Sequence, residues 1–184
     1  MSQPADNRVA VAAAIVSACA LIFTVASFWW IQMRRGRLKG YPPHSFAAAG
    51  VGSANLRLRL PVVIFNTGAA PIVVLDIQLR FPDEPDSLIP LPWATSRNQL
   101  KPTPDDGHTF PGVFAVPGRS AEQHFIEFFG PVPGFAMQPE SSCRCVIDVK
   151  LGHNEKWKPL VDFPLFLSRA LDDPNNYIAY SNRP

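Results

Sequence analysis

Residues 54–81 read ANLRLRLPVVIFNTGAAPIVVLDIQLRF, and this stretch decides the fold class. Leu56, Leu58 and Leu60 alternate with Arg57 and Arg59. A period of two belongs to a strand with one buried face, not to a helix. Val62, Val63, Ile64 and Phe65 carry the strand into a more buried stretch. Asn66-Thr67-Gly68 then makes a turn, because Asn and Gly tolerate positive φ. Pro71 precedes a second run, in which Val73, Leu75, Ile77, Leu79 and Phe81 point one way and Asp76, Gln78 and Arg80 the other. Two alternating runs joined by a short turn predict a β-hairpin.

Further along, the same signals repeat. Short strands are expected at residues 88–93, 113–116, 122–129, 143–151 and 156–167, with Pro117-Gly118 and residues 152–155 as turns. Twenty prolines in 184 residues are roughly twice the usual share of about 5%. Proline breaks helix interiors, so the region after residue 40 is disfavoured as helical. Six or seven strands over residues 54–167 predict a mainly β fold, an antiparallel sandwich. With Asn66, Gly68 and Pro71 at its turn, the stretch 62–81 resembles the early hairpin of bacterial immunoglobulin-like domains. That resemblance implies an immunoglobulin-like β-sandwich. The Cys…Trp…Cys spacing that would imply an inter-sheet disulfide is absent.

On the N-terminal side, residues 9–33 read VAVAAAIVSACALIFTVASFWWIQM, with no charge and Gln32 as the single strongly polar residue. About 20 apolar residues in a helix span the hydrocarbon core, so this stretch predicts one transmembrane helix. Trp29 and Trp30 lie at its end, where aromatic rings prefer the interface, and Arg34, Arg35, Arg37 and Lys39 follow. These six are the candidate membrane-interface residues. The apolar run outlasts the core of about 7–15 residues of a cleaved signal, and its positive charges come after it. Val16-Ser17-Ala18-Cys19 resembles the bacterial lipobox, but the chain continues ALIFTVASFWW where mature lipoproteins turn polar. Cys19 is therefore read as a small residue packed in a membrane helix. Residues 1–8 hold one Asp and one Arg, whereas four bases fall within the first six residues after the span. Lys and Arg near a span are retained in the cytoplasm, which predicts an outside N-terminus and a cytoplasmic C-terminal domain.

The expected organisation is a tail (1–8), the transmembrane helix (9–33), a basic juxtamembrane segment and flexible linker (34–53), the β domain (54–167) and a polar C-terminal tail (168–184). Tyr177, Ile178 and Tyr180 in that tail can still dock on the domain.

Candidate chemistry is sparse. No P-loop, dinucleotide fingerprint or G-x-S-x-G elbow is present. Net charge is +2, and acids slightly outnumber bases after residue 40, which argues against a nucleic-acid partner. Cys143 and Cys145, two apart on a strand, share one face. With His124 and His153 they offer suitable ligand types, but the spacing lacks the turn of C-x-x-C, so they are read as reduced core residues. Asp105-Asp106-Gly107-His108 is read as a solvated turn, and so is Asp172-Asp173-Pro174-Asn175-Asn176. Phe125, Phe128, Phe129 and Phe135 form the densest aromatic group, beside Pro131, Pro133 and Gly134; they are read as core and adjoining loop. No catalytic residue, cofactor or metal is expected. The predicted role is a membrane-anchored, non-catalytic interaction or accessory module with the bilayer and a protein as partners. The alternative is a tethered sensor or ligand-binding domain using the Pro-rich 82–112 loop, with Trp93 and Phe110 lining its pocket.

Overall fold

A computed structural model describes residues 3–34, 36–51, 55–83, 90–131 and 142–183. Helix α1 (Gln3–Phe28) runs into a π-helical turn (Trp29–Met33). The strands are β1 (Leu38–Tyr41), β2 (Ser45–Ala49), β3 (Asn55–Asn66), β4 (Ile72–Arg80), β5 (Leu91–Arg97), β6 (His108–Thr109), β7 (Phe114–Val116), β8 (Ala121–Pro131), β9 (Cys143–Leu151), β10 (Asn154–Leu165) and β11 (Ile178–Ser181), with the short helix α2 (Ser168–Asp172) before the last.

The protein is mainly antiparallel β, 49% strand, with one N-terminal apolar helix. Among the described residues the strands hydrogen-bond in the order β10-β9-β4-β5-β8-β3-β2-β11, with β1 beside β3, β6 beside β5 and β7 beside β4. The result is a curled half-barrel, and the expected two-sheet immunoglobulin-like sandwich is not shown. The bend lies in β5. Its first residues pair with β4 (Leu91 with Leu79), and from Trp93 onward it pairs with β8. A register shift between Trp93 and Thr95 marks the corner. Such bulges bend a strand and increase its twist.

The expected hairpin between β3 and β4 does not form. One edge of β3 is filled by β8, and the other by β2 and then β1. The Asn66 turn instead carries the chain from one half of the sheet to the other. Asn66 donates Nδ2 to the carbonyls of Ala70 and Val116 and accepts from the Gly68 amide. Val116 lies on β7, which pairs with β4. The inward face of β4 also departs from strict alternation. A register shift between Val74 and Asp76 lets Ile72 and Val74, then Ile77 and Leu79, point inward.

Two segments outside the expected domain belong to the sheet. Residues 34–53, expected as a flexible linker, supply β1 and β2, because Phe46, Ala47 and Ala48 are fully buried against β3. Residues 168–184, expected as a polar tail, supply α2 and β11, which pairs with β2 (Ile178 with Ala48, Ser181 with Ser45). β9 and β10 form the expected hairpin.

The inner face carries the core. Leu56, Leu58, Leu60, Val62 and Ile64 of β3 meet Ile77 and Leu79 of β4, Ile126 and Phe128 of β8, and Cys145, Ile147 and Val149 of β9. Phe163, Leu165 and Leu167 close it from the β10 side. Burying such side chains stabilises by about 1.5–3 kcal/mol each.

Candidate functional site

The candidate interface residues sit where the helix meets the sheet. Trp29 and Trp30 end the helix, both more than half exposed. The Arg34 guanidinium stacks over the Trp30 ring at 4.2 Å. Arg35 lies outside the described residues. Arg37 and Lys39 are exposed on the way into and along β1.

The junction is fixed by hydrogen bonds. The Ala69 amide donates to the Arg34 carbonyl at 2.9 Å, and the Thr67 amide to the Arg37 carbonyl at 3.1 Å. The Arg37 amide donates to Thr67 Oγ1 at 2.9 Å. Arg119, the one described non-glycine residue with positive φ (56°), donates its amide to the Gly68 carbonyl and its Nη2 to the Trp30 carbonyl at 3.1 Å. A Cβ on Gly36 would collide with Gly68, and one on Gly118 with the Ala69 carbonyl. Glycine is required there because backbones meet backbones. The 34–37 segment is thus strapped to the 66–70 and 117–119 turns. Beside it, Gly36, Arg37, Leu38, Ile72, Val149, Leu151, His153, Lys158, Pro159 and Leu160 line a cleft of about 380 Å³.

A second polar feature lies on the outer face of β3 and β8. Arg59 is 2% exposed. Its guanidinium donates to Asp106 Oδ2 at 2.6 Å, to Glu127 Oε2 at 3.2 Å and to the Gln99 carbonyl at 2.8 Å. Tyr177 accepts from Arg59 Nε and donates to Glu127 Oε2 at 2.7 Å. Arg97 donates to Glu127 Oε1 at 3.3 Å. Burial alone would lower the Arg59 pKa, but Tyr177, Glu127 and Asp106 outweigh it and hold it above its ordinary value. Burial would likewise raise the Glu127 carboxyl, yet the Tyr177 hydrogen bond and the charges of Arg97, Arg59 and Arg57 keep it below the usual range. Burial, then the Glu127 charge, pushes the Tyr177 phenol up. Opposite charges meet throughout the cluster, although Asp106 Oδ1 and Arg97 Nε find no hydrogen-bond partner there, and the arrangement ties the 98–107 loop and the Tyr177 segment to the sheet.

Alternation assigned Arg57 and Arg59 alike to solvent, and Asp106 to a solvated turn. Both readings are corrected for Arg59 and Asp106, because a loop and a C-terminal segment cover that face and bring the counter-charges. The available signals were the short-range Asp105-Asp106 pair and a tyrosine in an otherwise polar tail, neither of which names its partner.

The remaining candidates are dispersed. His108 is exposed beside Phe110, with ring centroids 6.4 Å apart. His124 lies 4.3 Å from the Phe114 ring and bonds Glu122. Trp93 is buried with its ring edge-on to Phe114, whereas Phe110 is 81% exposed. Among the described residues, the main clefts are lined by neither Trp93 nor Phe110. Cys143 and Cys145 are free and buried, and burial raises the Cys145 thiol well above its ordinary pKa. Asp173 accepts from Asn176 Nδ2 in the turn before β11. Phe128 faces the core, Phe125 is half-buried and Phe129 is 41% exposed beneath the Arg57 guanidinium. Pro133, Gly134 and Phe135 lie outside the described residues. Among the described residues no three His, Cys, Asp or Glu side chains gather as a metal site would require.

No family model matches the chain, and no curated protein does. Solved structures similar in part include the following two. One is Spo0M, a sporulation control protein from Bacillus subtilis, at 10% identity and a TM-score of 0.33, with 72% of this chain and 48% of that chain covered. The chain thus spans about half the length of Spo0M. The other is a protein from Archaeoglobus fulgidus, at 11% identity and a TM-score of 0.33, with 80% of this chain and 97% of that chain covered.

Proposed function

We propose that this chain is a single-pass membrane protein whose non-catalytic β domain serves as a protein-interaction or accessory module. One observation carries the membrane part. The helix over Asn7–Met33 is 27 residues long, its most apolar 18-residue window has a mean hydropathy of 2.6, and none of that window is buried within the protein. Val9, Leu21 and Phe23 stand 65–75% exposed. A bare apolar helix of this length matches the hydrocarbon core and would be costly in water. The interaction part draws on the loop before β7, where Phe110 and Val113 are 81% and 64% exposed around Pro111-Gly112. These neighbouring exposed apolar side chains on one loop are the support for reading it as the contact surface. The charge asymmetry across the helix supports a cytoplasmic domain.

Alkaline carbonate extraction of native membranes tests the anchor: the chain stays with the bilayer, and release into the supernatant overturns the reading. A photo-cross-linking side chain in place of Phe110, activated in intact cells, tests the module. One discrete heavier adduct is expected. An uncoupled chain at every tip position from 110 to 113 argues against a partner there.

A further inference from the structure

We propose that the cleft between β1 and the β9–β10 hairpin is a binding site for the phosphate-bearing headgroup of an anionic lipid, in the leaflet where the helix ends. The inference rests on the membrane-anchor reading and specifies what the anchored domain touches.

Position comes first. The cleft begins at Gly36, two residues after Arg34, and the helix end is strapped to the domain through the 66–70 and 117–119 turns. Bonded in this way, the domain cannot swing clear of the surface the helix enters. With the helix as the anchor, the cleft lies on the stretch of chain that leaves the membrane, starting at Gly36 just after the helix end.

Chemistry comes second. Arg37 from the segment before β1 and His153 and Lys158 from the β9–β10 hairpin line the cleft, and no acid lines it among the described residues. Its other walls are apolar: Leu38, Ile72, Val149, Leu151 and Leu160. Basic groups over an apolar floor match a ligand that is anionic at one end and acyl-bearing at the other. Lys156 and Lys158 flank Trp157 in sequence, and that ring is 38% exposed on the same hairpin.

Charge is polarised in the same sense. Segments 34–41, 66–72, 117–121 and 151–158 hold seven of the seventeen Lys and Arg but only one of the fifteen acids. The rest of the chain is left with ten bases against fourteen acids. The end that carries the helix is thus basic on a molecule that is otherwise acidic, which presents that end to an anionic leaflet.

The test uses the full chain in mild detergent, titrated with phosphatidylglycerol or phosphatidylcholine and read by native mass spectrometry. We expect one phosphatidylglycerol to be retained on the order of tenfold more tightly than phosphatidylcholine. The preference should vanish in the Arg37→Gln/Lys158→Gln variant, while an Arg8→Gln control keeps it. Equal retention of the two lipids, or a preference that survives the double substitution, overturns the proposal. Displacement of the lipid by millimolar inorganic phosphate would also overturn it, by making the site one for a soluble anion. Circular dichroism of the variant confirms that it is folded; if it is not, Lys158→Gln alone, a substitution on an exposed side chain, replaces it with the same two outcomes. Carbonate extraction separates the readings: a chain that stays in the membrane but binds both lipids alike loses this inference and keeps its anchor.

Discussion

Replacing Arg59 by Met leaves the carboxylates of Asp106 and Glu127 buried without their shared guanidinium. Breaking one side of such a buried pair costs about 3–5 kcal/mol, so the variant should melt well below the parent in the same detergent, and an unchanged melt would count against the cluster's role. The cluster also sets an acid limit. Glu127 has a folded pKa below its unfolded one, so its stabilising contribution is complete above the unfolded glutamate value of about 4.3. As pH falls through that value toward the depressed folded one, the contribution is progressively lost. Glu127→Gln should flatten this acid limb of the melting curve, measured from pH 6 to 3. Cys143 and Cys145 give a second residue-level test. They are 8% and 0% exposed, and the Cys145 thiol is held protonated by burial. Alkylation is a thiolate reaction, so both should resist iodoacetamide in the native protein and react quickly once denatured. Fast labelling of the native chain would place them on the surface.

Asn182, just past β11, joins three segments: its Nδ2 donates to the carbonyls of Pro43 and Pro164, and its Oδ1 accepts from the Phe166 amide. At about 1 kcal/mol net per hydrogen bond, Asn182→Ala should cost roughly 2–3 kcal/mol by denaturant melting and should raise amide exchange along β11 first. An unaltered exchange rate there would show that β11 holds its place without this residue. Such elements were hard to read from sequence for a physical reason. Individual strands announce themselves through period-two patterning, and β3, β9 and β10 were legible that way; β4 was legible as a strand though not in its inward face, and β8 through its aromatic density. Pairing does not announce itself. The Asn66 turn has hairpin composition, yet β3 already has neighbours on both edges, so the chain crosses to the other half instead. The small residues of β2 (Phe46 followed by three alanines) carry no alternation, because the strand is buried on both faces, and they read as linker. The helix and its flanking Trp and Arg were legible from local composition. The cleft beside them was not, since Arg37, His153 and Lys158 meet only after folding.

Across the whole molecule, the strapped junction makes the position of the sheet and the direction of the helix a single question. Protease added to intact cells should leave residues 34–184 uncut if the bases after the helix hold it in the cytoplasm; digestion of the β domain from outside would invert the proposed orientation. The seam between β2 and β11 matters on another axis, that of time. Strand β2 is made early and receives its outer neighbour only from β11, the last strand in the sequence. At a synthesis rate of about 5–20 residues per second, the apolar helix is complete many seconds before β11, and the far edge of β2 stays bare in between. Arg59, too, lacks Tyr177 throughout that interval. On the proposed anchor reading, a nascent chain halted before Tyr177 sits in the bilayer with an open strand edge and a guanidinium short of a partner, a signature that separates an unfinished copy from a completed one.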